Sequence, residues 1–115
     1  MIEVLKAWVT SSQQNPVLGI LPKGSYILRA HCHVTEAFNG SGTDEITIGY
    51  DADTDAVITS VDVSSTGVKS VTLGALNGYN GTARSLEAYY VNDAGEPSLG
   101  KAFIVVEYIR TPISP

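Results

Sequence analysis

The sequence predicts an all-β fold: a single-domain antiparallel β-sandwich, jelly-roll-like, of about eight strands. Three observations predict it. Short segments of alternating apolar and polar residues recur from Ser25 to Ile109, each closed by Gly, Asn, Asp or Pro. The spacing of these segments is roughly regular, as in two-sheet folds. Only 17% of the 115 residues are charged, and 11 are glycine, which suits a chain of strands and tight turns. A chain of this length makes one domain and can bury roughly 65% of its unfolded surface without metal or disulfide staples.

The segments follow in order. Ile2 to Thr10 is apolar on both parities, with Val4 and Trp8 on one and Leu5, Ala7 and Val9 on the other. A strand buried on both faces reads this way. So does an arm lying against a neighbouring subunit, and a short helix is a third option. Ser11 to Asn15 is a polar loop, and Val17 to Leu21 is a short apolar stretch ended by the turn Pro22-Lys23-Gly24. Ser25 to Thr35 is the clearest strand. Tyr26, Leu28, Ala30, Cys32 and Val34 share its inward parity, and Arg29, His31, His33 and Thr35 dominate the other.

Further strands are expected at Thr43 to Tyr50, Val57 to Val63 (with Val57, Val61 and Val63 on one side) and Val68 to Leu73. Asp51 to Asp55 between them reads as a loop. Arg84 to Val91 fits either a helical face or a strand, and Tyr89-Tyr90-Val91 decides for strand. Lys101 to Ile109 is expected in the middle of a sheet, because Ala102 to Val106 leaves no polar face. The domain spans 1–115, with 1–22 open to use as a partner-contacting arm and 111–115 as an extended, Pro-rich tail.

Composition excludes several classes of partner. The formal net charge is −5, and seven scattered basic residues make no patch for phosphates, so neither nucleic acid nor an anionic membrane is expected as a partner. The N-terminus has no basic start followed by an apolar block, so no signal peptide is expected. The longest apolar run is Ala102 to Val106, far short of the roughly 20 residues of a spanning helix. Cys32 is the single cysteine, cannot form an internal disulfide and is expected to be buried.

Two constellations resemble metal sites. His31 and His33 stand at i and i+2 on one strand face, and imidazole pairs ligate transition metals. With Gly24, Glu36 and Gly40 they resemble the first motif of cupins, but the spacings differ and the chain holds only two histidines, too few for a three-histidine site. Asp51, Asp53 and Asp55 alternate as the first ligands of a calcium loop do. The sixth position of that loop would be Ala56 instead of glycine, and the twelfth Asp62 instead of glutamate. Both sets are therefore read as solvated polar groups, with no metal, cofactor or catalytic residue expected. Asn39-Gly40-Ser41 and Asn80-Gly81-Thr82 match the glycosylation sequon and are read as Asn-Gly turns.

The run Ala37-Phe38-Asn39-Gly40-Ser41-Gly42-Thr43, then Ile46-Thr47-Ile48-Gly49 and Asp51-Ala52-Asp53, resembles a family of small proteins of tailed bacteriophages. Val61-Asp62-Val63, Thr66-Gly67-Val68, Gly100 and the closing Val105-Val106-Glu107-Tyr108-Ile109 extend the resemblance across roughly Gly24 to Arg110. Such modules are capsid decoration (cement) proteins, head fibres and tail-fibre domains. The resemblance implies a non-enzymatic virion structural protein, made in the host cytoplasm, that binds the major capsid protein or other virion proteins and assembles as a trimer. Ile2, Val4 and Trp8, with the Pro-rich tail, are the expected partner contacts. Two rival readings stand beside it. One is a carbohydrate-binding module, on a phage fibre or free-standing, that stacks sugars on Tyr79, Tyr89 or Tyr90. The other is a small cupin-like metalloprotein.

Overall fold

The structure is a computed structural model that describes residues 1–76 and 78–111. Residues 112–115 of the expected tail, and Asn77 of the glycine-rich connection, lie outside the described residues. Among the described residues there are nine strands: β1 Glu3–Thr10, β2 Val17–Leu21, β3 Ser25–Glu36, β4 Asp44–Tyr50, β5 Asp53–Asp62, β6 Gly67–Lys69, β7 Tyr79–Asn80, β8 Arg84–Asn92 and β9 Lys101–Arg110. They form two antiparallel sheets. Sheet A has the order β1-β9-β3-β6, with β7 also on β3, and sheet B the order β2-β8-β4-β5.

The ladders are nested. β4 pairs β5, β3 pairs β6, β2 pairs β8 and β1 pairs β9, alternately in sheets B and A. Successive ladders of this nest fall in opposite sheets, which makes the fold a two-sheet β-sandwich. β9 lies between β1 and β3, as its all-apolar run predicts. Arg84–Asn92 is a strand throughout.

Side chains alternate across each strand, so each sheet turns one row set inward. Val9, Ile27, Cys32, Val34, Ile104 and Val106 of sheet A meet Leu21, Ile46, Ile48, Ile58 and Leu86 of sheet B in one core. Each of the larger of these contributes about 1.5–3 kcal/mol by leaving water. Cys32 is wholly buried on the face opposite His31 and His33.

Three expectations are corrected, each by strand irregularity. In β3, Ile27 pairs Tyr108 and Arg29 pairs Glu107, so Leu28 is an extra residue. A bulge of this kind reverses strand parity. Ala30, Cys32 and Val34 face inward as expected, but Ile27 is buried in place of Tyr26, which is 44% exposed. In β5, Ile46 pairs Val61 and Ile48 pairs Ile58, so the three-residue step on β5 opposes a two-residue step on β4. Ala56, Val57 and Ile58 are then all buried in succession, against the expected simple alternation. The strand expected over Val68 to Leu73 is shorter: β6 ends at Lys69, and the following chain crosses to sheet B, where Leu73 bridges Ile58.

The segment expected as a loop at Asp51 to Asp55 is mostly strand. Only Asp51 and Ala52 form the turn, and β5 begins with Asp53 opposite Tyr50. A Cβ on Gly49 would collide with the Asp53 carbonyl and the Thr54 backbone, so glycine is required where this hairpin closes. Asn80, read as a turn residue, is instead buried and fastens the turn after β2. Its amide donates to the carbonyls of Leu21 at 3.4 Å and Pro22 at 3.0 Å.

Candidate protein-interaction face

The outer face of sheet A is built from cross-strand rows, bounded at one end by Thr10, Lys101 and Glu36. Pairing places Trp8, Phe103, His33 and Val68 in the first row and Lys6, Val105 and His31 in the second. Val4, Glu107 and Arg29 make the third, and Ile109, Tyr26 and Tyr79 the fourth. Directly opposed side chains in such rows touch, so each row behaves as one strip of surface.

Much of this surface is apolar and open. Trp8 is 48% exposed and Val68 77%, and Val4, Tyr26 and Tyr79 are also exposed. The Trp8 ring packs on Phe103, with centroids 5.1 Å apart and planes tilted by 48°. The expected contact residues therefore share one location: Val4 and Trp8 project from this face, and Ile2 lies exposed just before β1. β1 is not buried on both faces. Its inward parity is sheltered, its outward parity is not, and it pairs with β9 over its whole length.

The centre of the face holds one polar cluster. The Arg29 Nε donates to Glu107 Oε2 at 2.7 Å, and the His31 Nε2 lies on the same oxygen. The guanidinium first, and the imidazole second, hold the Glu107 carboxyl below the usual carboxylate range. His33 stands one row away, between Phe103 and Val68.

The metal-like constellations do not converge. Glu36, the third cupin-like position, accepts a hydrogen bond from the Gly100 amide at 3.0 Å instead of joining His31 and His33. Asp53 and Asp55 are neighbours at the start of β5, and contact with Asp55 raises the Asp53 pKa. Asp51 lies in the adjoining turn. Among the described residues no group of three or more His, Cys, Asp or Glu is arranged to hold a metal ion.

Of the three tyrosines considered as sugar platforms, only Tyr79 is exposed. Tyr90 stacks on Phe38 with centroids 5.2 Å apart, and its hydroxyl donates to the Asp44 carboxylate. Burial first, and that bond second, raise its pKa. The Tyr89 hydroxyl is enclosed without a hydrogen-bond partner. The Tyr90 ring is taken up by Phe38, and the Tyr89 ring is only partly exposed. The exposed partner of Tyr79 is Tyr26, opposite it across β3 and β7. Alternation counted straight through β3 hides Tyr26, because the bulge at Leu28 is invisible in composition.

A cleft of about 270 Å³ opens at the β4–β5 turn, lined by Tyr50, Asp51, Arg84 and Glu87 among others. The Arg84 guanidinium lies 4.1 Å over the Tyr50 ring and closes one wall. A second hollow of about 320 Å³, lined by Asp44, Glu45 and Asp62 among others, lies at the far end of sheet B. In the second hollow the Ser64 hydroxyl donates to the Asp62 carboxylate at 2.6 Å.

No protein-family model matches the chain, and no curated relative does either. The fold does recur in solved structures. One is a chain of the cyanophage Pam1 capsid asymmetric unit, 16% identical, with a TM-score of 0.64 over 96% of this chain and 85% of that one. Another is a chain of the acidic stable capsid structure of Helicobacter pylori bacteriophage KHP30, 14% identical, with a TM-score of 0.64 over 94% and 86%. At these identities the likeness is one of fold, and it extends over nearly the whole chain.

Proposed function

We propose that this chain is a non-enzymatic structural protein of a bacteriophage virion, and specifically a capsid decoration (cement) protein. The observation that carries this reading is the outer face of sheet A: apolar and aromatic side chains left open on a small domain. Contiguous apolar area of this kind marks a surface that is covered in use. The near-complete fold likeness to chains in two phage capsids supports a place in the particle.

On this reading the chain stabilises the shell by burying Trp8, Val4, Ile2 and their row neighbours against protein in the particle. Many modest contacts, repeated by the symmetry of the shell, add to a large total. The partners are the major capsid protein and other virion proteins, and a trimer is the assembly expected from the family resemblance. A tail or fibre position would use the same face.

The test is co-sedimentation of the purified chain with shells from which it is absent. Saturation at a fixed number of copies, and a rise in the temperature at which the shells open, support the reading. Failure to bind shells, with specific retention on an immobilised glycan instead, would replace it with the carbohydrate-binding one.

A further inference from the structure

The two outer faces of the sandwich carry opposite charge. Sheet A's outward rows hold Lys6, Arg29 and Lys101 beside two histidines, with Glu107 and Glu36 as the carboxylates among the described residues, a surplus of one cation. Sheet B's rows are different. Asp62 pairs Glu45, which pairs Val91; Thr47 pairs Tyr89; Glu87 pairs both Gly49 and Val17. These rows contain three carboxylates and no cation. They also expose apolar side chains at Val17, Ile20 and Val91.

We infer that the outer face of sheet A binds the outer face of sheet B of a second copy of this chain, in a repeating unlike-face contact. Charge complementarity selects this arrangement. Pairing sheet B with sheet B would set Glu45, Asp62 and Glu87 against their own copies with no cation between them. Pairing sheet A with sheet A would offer Lys6 only Glu107, which Arg29 and His31 already hold. The unlike pairing sets Lys6 against carboxylates, and the Trp8–Phe103 pair against the partly exposed Tyr89 and the β2 valine and isoleucine. Complementary potential fixes register and rejects wrong partners, while the apolar and aromatic rows supply the affinity. A contact between unlike faces closes into a ring when its rotation allows and extends into a row when it does not. The inference rests on the reading that sheet A's outer face is covered in the particle, and it names what covers it.

The experiment uses two variants that reverse charge without touching the described hydrogen bonds of the core. Lys6→Glu with His33→Glu alters sheet A, and Glu45→Lys with Glu87→Lys alters sheet B. Absolute mass is measured by light scattering across a concentration series, with melting curves to confirm that each variant is folded. The wild type is expected to exceed the mass of one chain. Each variant alone is expected to associate more weakly by roughly tenfold or more. An equimolar mixture of the two, in which each altered face meets its altered complement, is expected to recover the mass of the wild type.

A wild type of single-chain mass throughout would overturn the inference. So would variants that associate like the wild type, or a mixture that stays monomeric. The outcome is separable from the decoration reading. A strictly monomeric chain that still saturates shells contradicts the stacking and leaves decoration standing. A self-associating chain that ignores shells does the reverse.

Discussion

Trp8 of β1 and Phe103 of β9 are directly opposed on the outer face of sheet A, and their rings meet with centroids 5.1 Å apart. The pair leaves Trp8 48% exposed, so it anchors a surface rather than a core. Trp8→Ala should cost only about 1 kcal/mol of folding stability, the scale of one aromatic pair. It should lower the fraction of chain that sediments with shells severalfold or more, since exposed aromatic anchors dominate such contacts. Denaturant titration and co-sedimentation of one preparation separate the two effects.

Tyr90 and Asp44 tie β8 to β4 through a hydroxyl-to-carboxylate bond at a position where Asp44 is only 4% exposed. The Gly40 amide donates to the same carboxylate oxygen at 3.0 Å. Tyr90→Phe keeps the stacking on Phe38 but removes one donor from a buried acid. A loss of about 1–3 kcal/mol is expected in chemical denaturation, with the melting transition still cooperative.

Glu107 has a folded-state pKa below its ordinary value, through Arg29 first and His31 second. A depressed carboxylate contributes stability that is fully present above its unfolded pKa and is lost as pH falls through the folded value. Stability of the wild type should therefore decline on acidification through and below the usual carboxylate range. Glu107→Gln should lower stability in the neutral region and flatten the acid decline, so that the two profiles converge at low pH. Melting temperatures measured from neutral to acid pH for both proteins check this, and parallel profiles would refute it.

Cys32 is enclosed in the core, and burial pushes its thiol pKa up to about 11. The thiolate is the reactive form, so a disulfide reagent at mildly alkaline pH should modify native protein slowly. The rate should rise by orders of magnitude on adding denaturant beyond the unfolding midpoint. Fast modification of the native chain would show that β3 opens readily between Ala30 and Val34.

Regular alternation made the sandwich legible, and interruption of alternation hid its details. β2 follows its apolar run to the residue, and β9 takes the central position that Ala102 to Val106 demands. Tyr26 escaped, because one bulged residue at Leu28 reverses parity and leaves no compositional trace. Asp53 and Asp55 looked like a loop because aspartate is rare in strands. The tight turn at Asp51–Ala52, which Gly49 permits, puts them on β5 instead. The interaction face was half legible. Val4 and Trp8 stood out on the parity of a segment apolar on both sides. Their alignment with Phe103, His33 and Val68 depends on pairing between strands about 30 to 100 residues apart in sequence, which no local pattern encodes.

The central claim is that the outer face of sheet A is covered by protein in the particle. Hydroxyl-radical footprinting of the chain, free and shell-bound, tests it most directly, because oxidation is read residue by residue. Trp8 is the single tryptophan and reports on the face without ambiguity. Trp8, Tyr26, Val68 and Tyr79 should be oxidised in the free chain at low concentration and protected on the shell. Equal oxidation of these four residues in both states, with protection elsewhere on the chain, would contradict it.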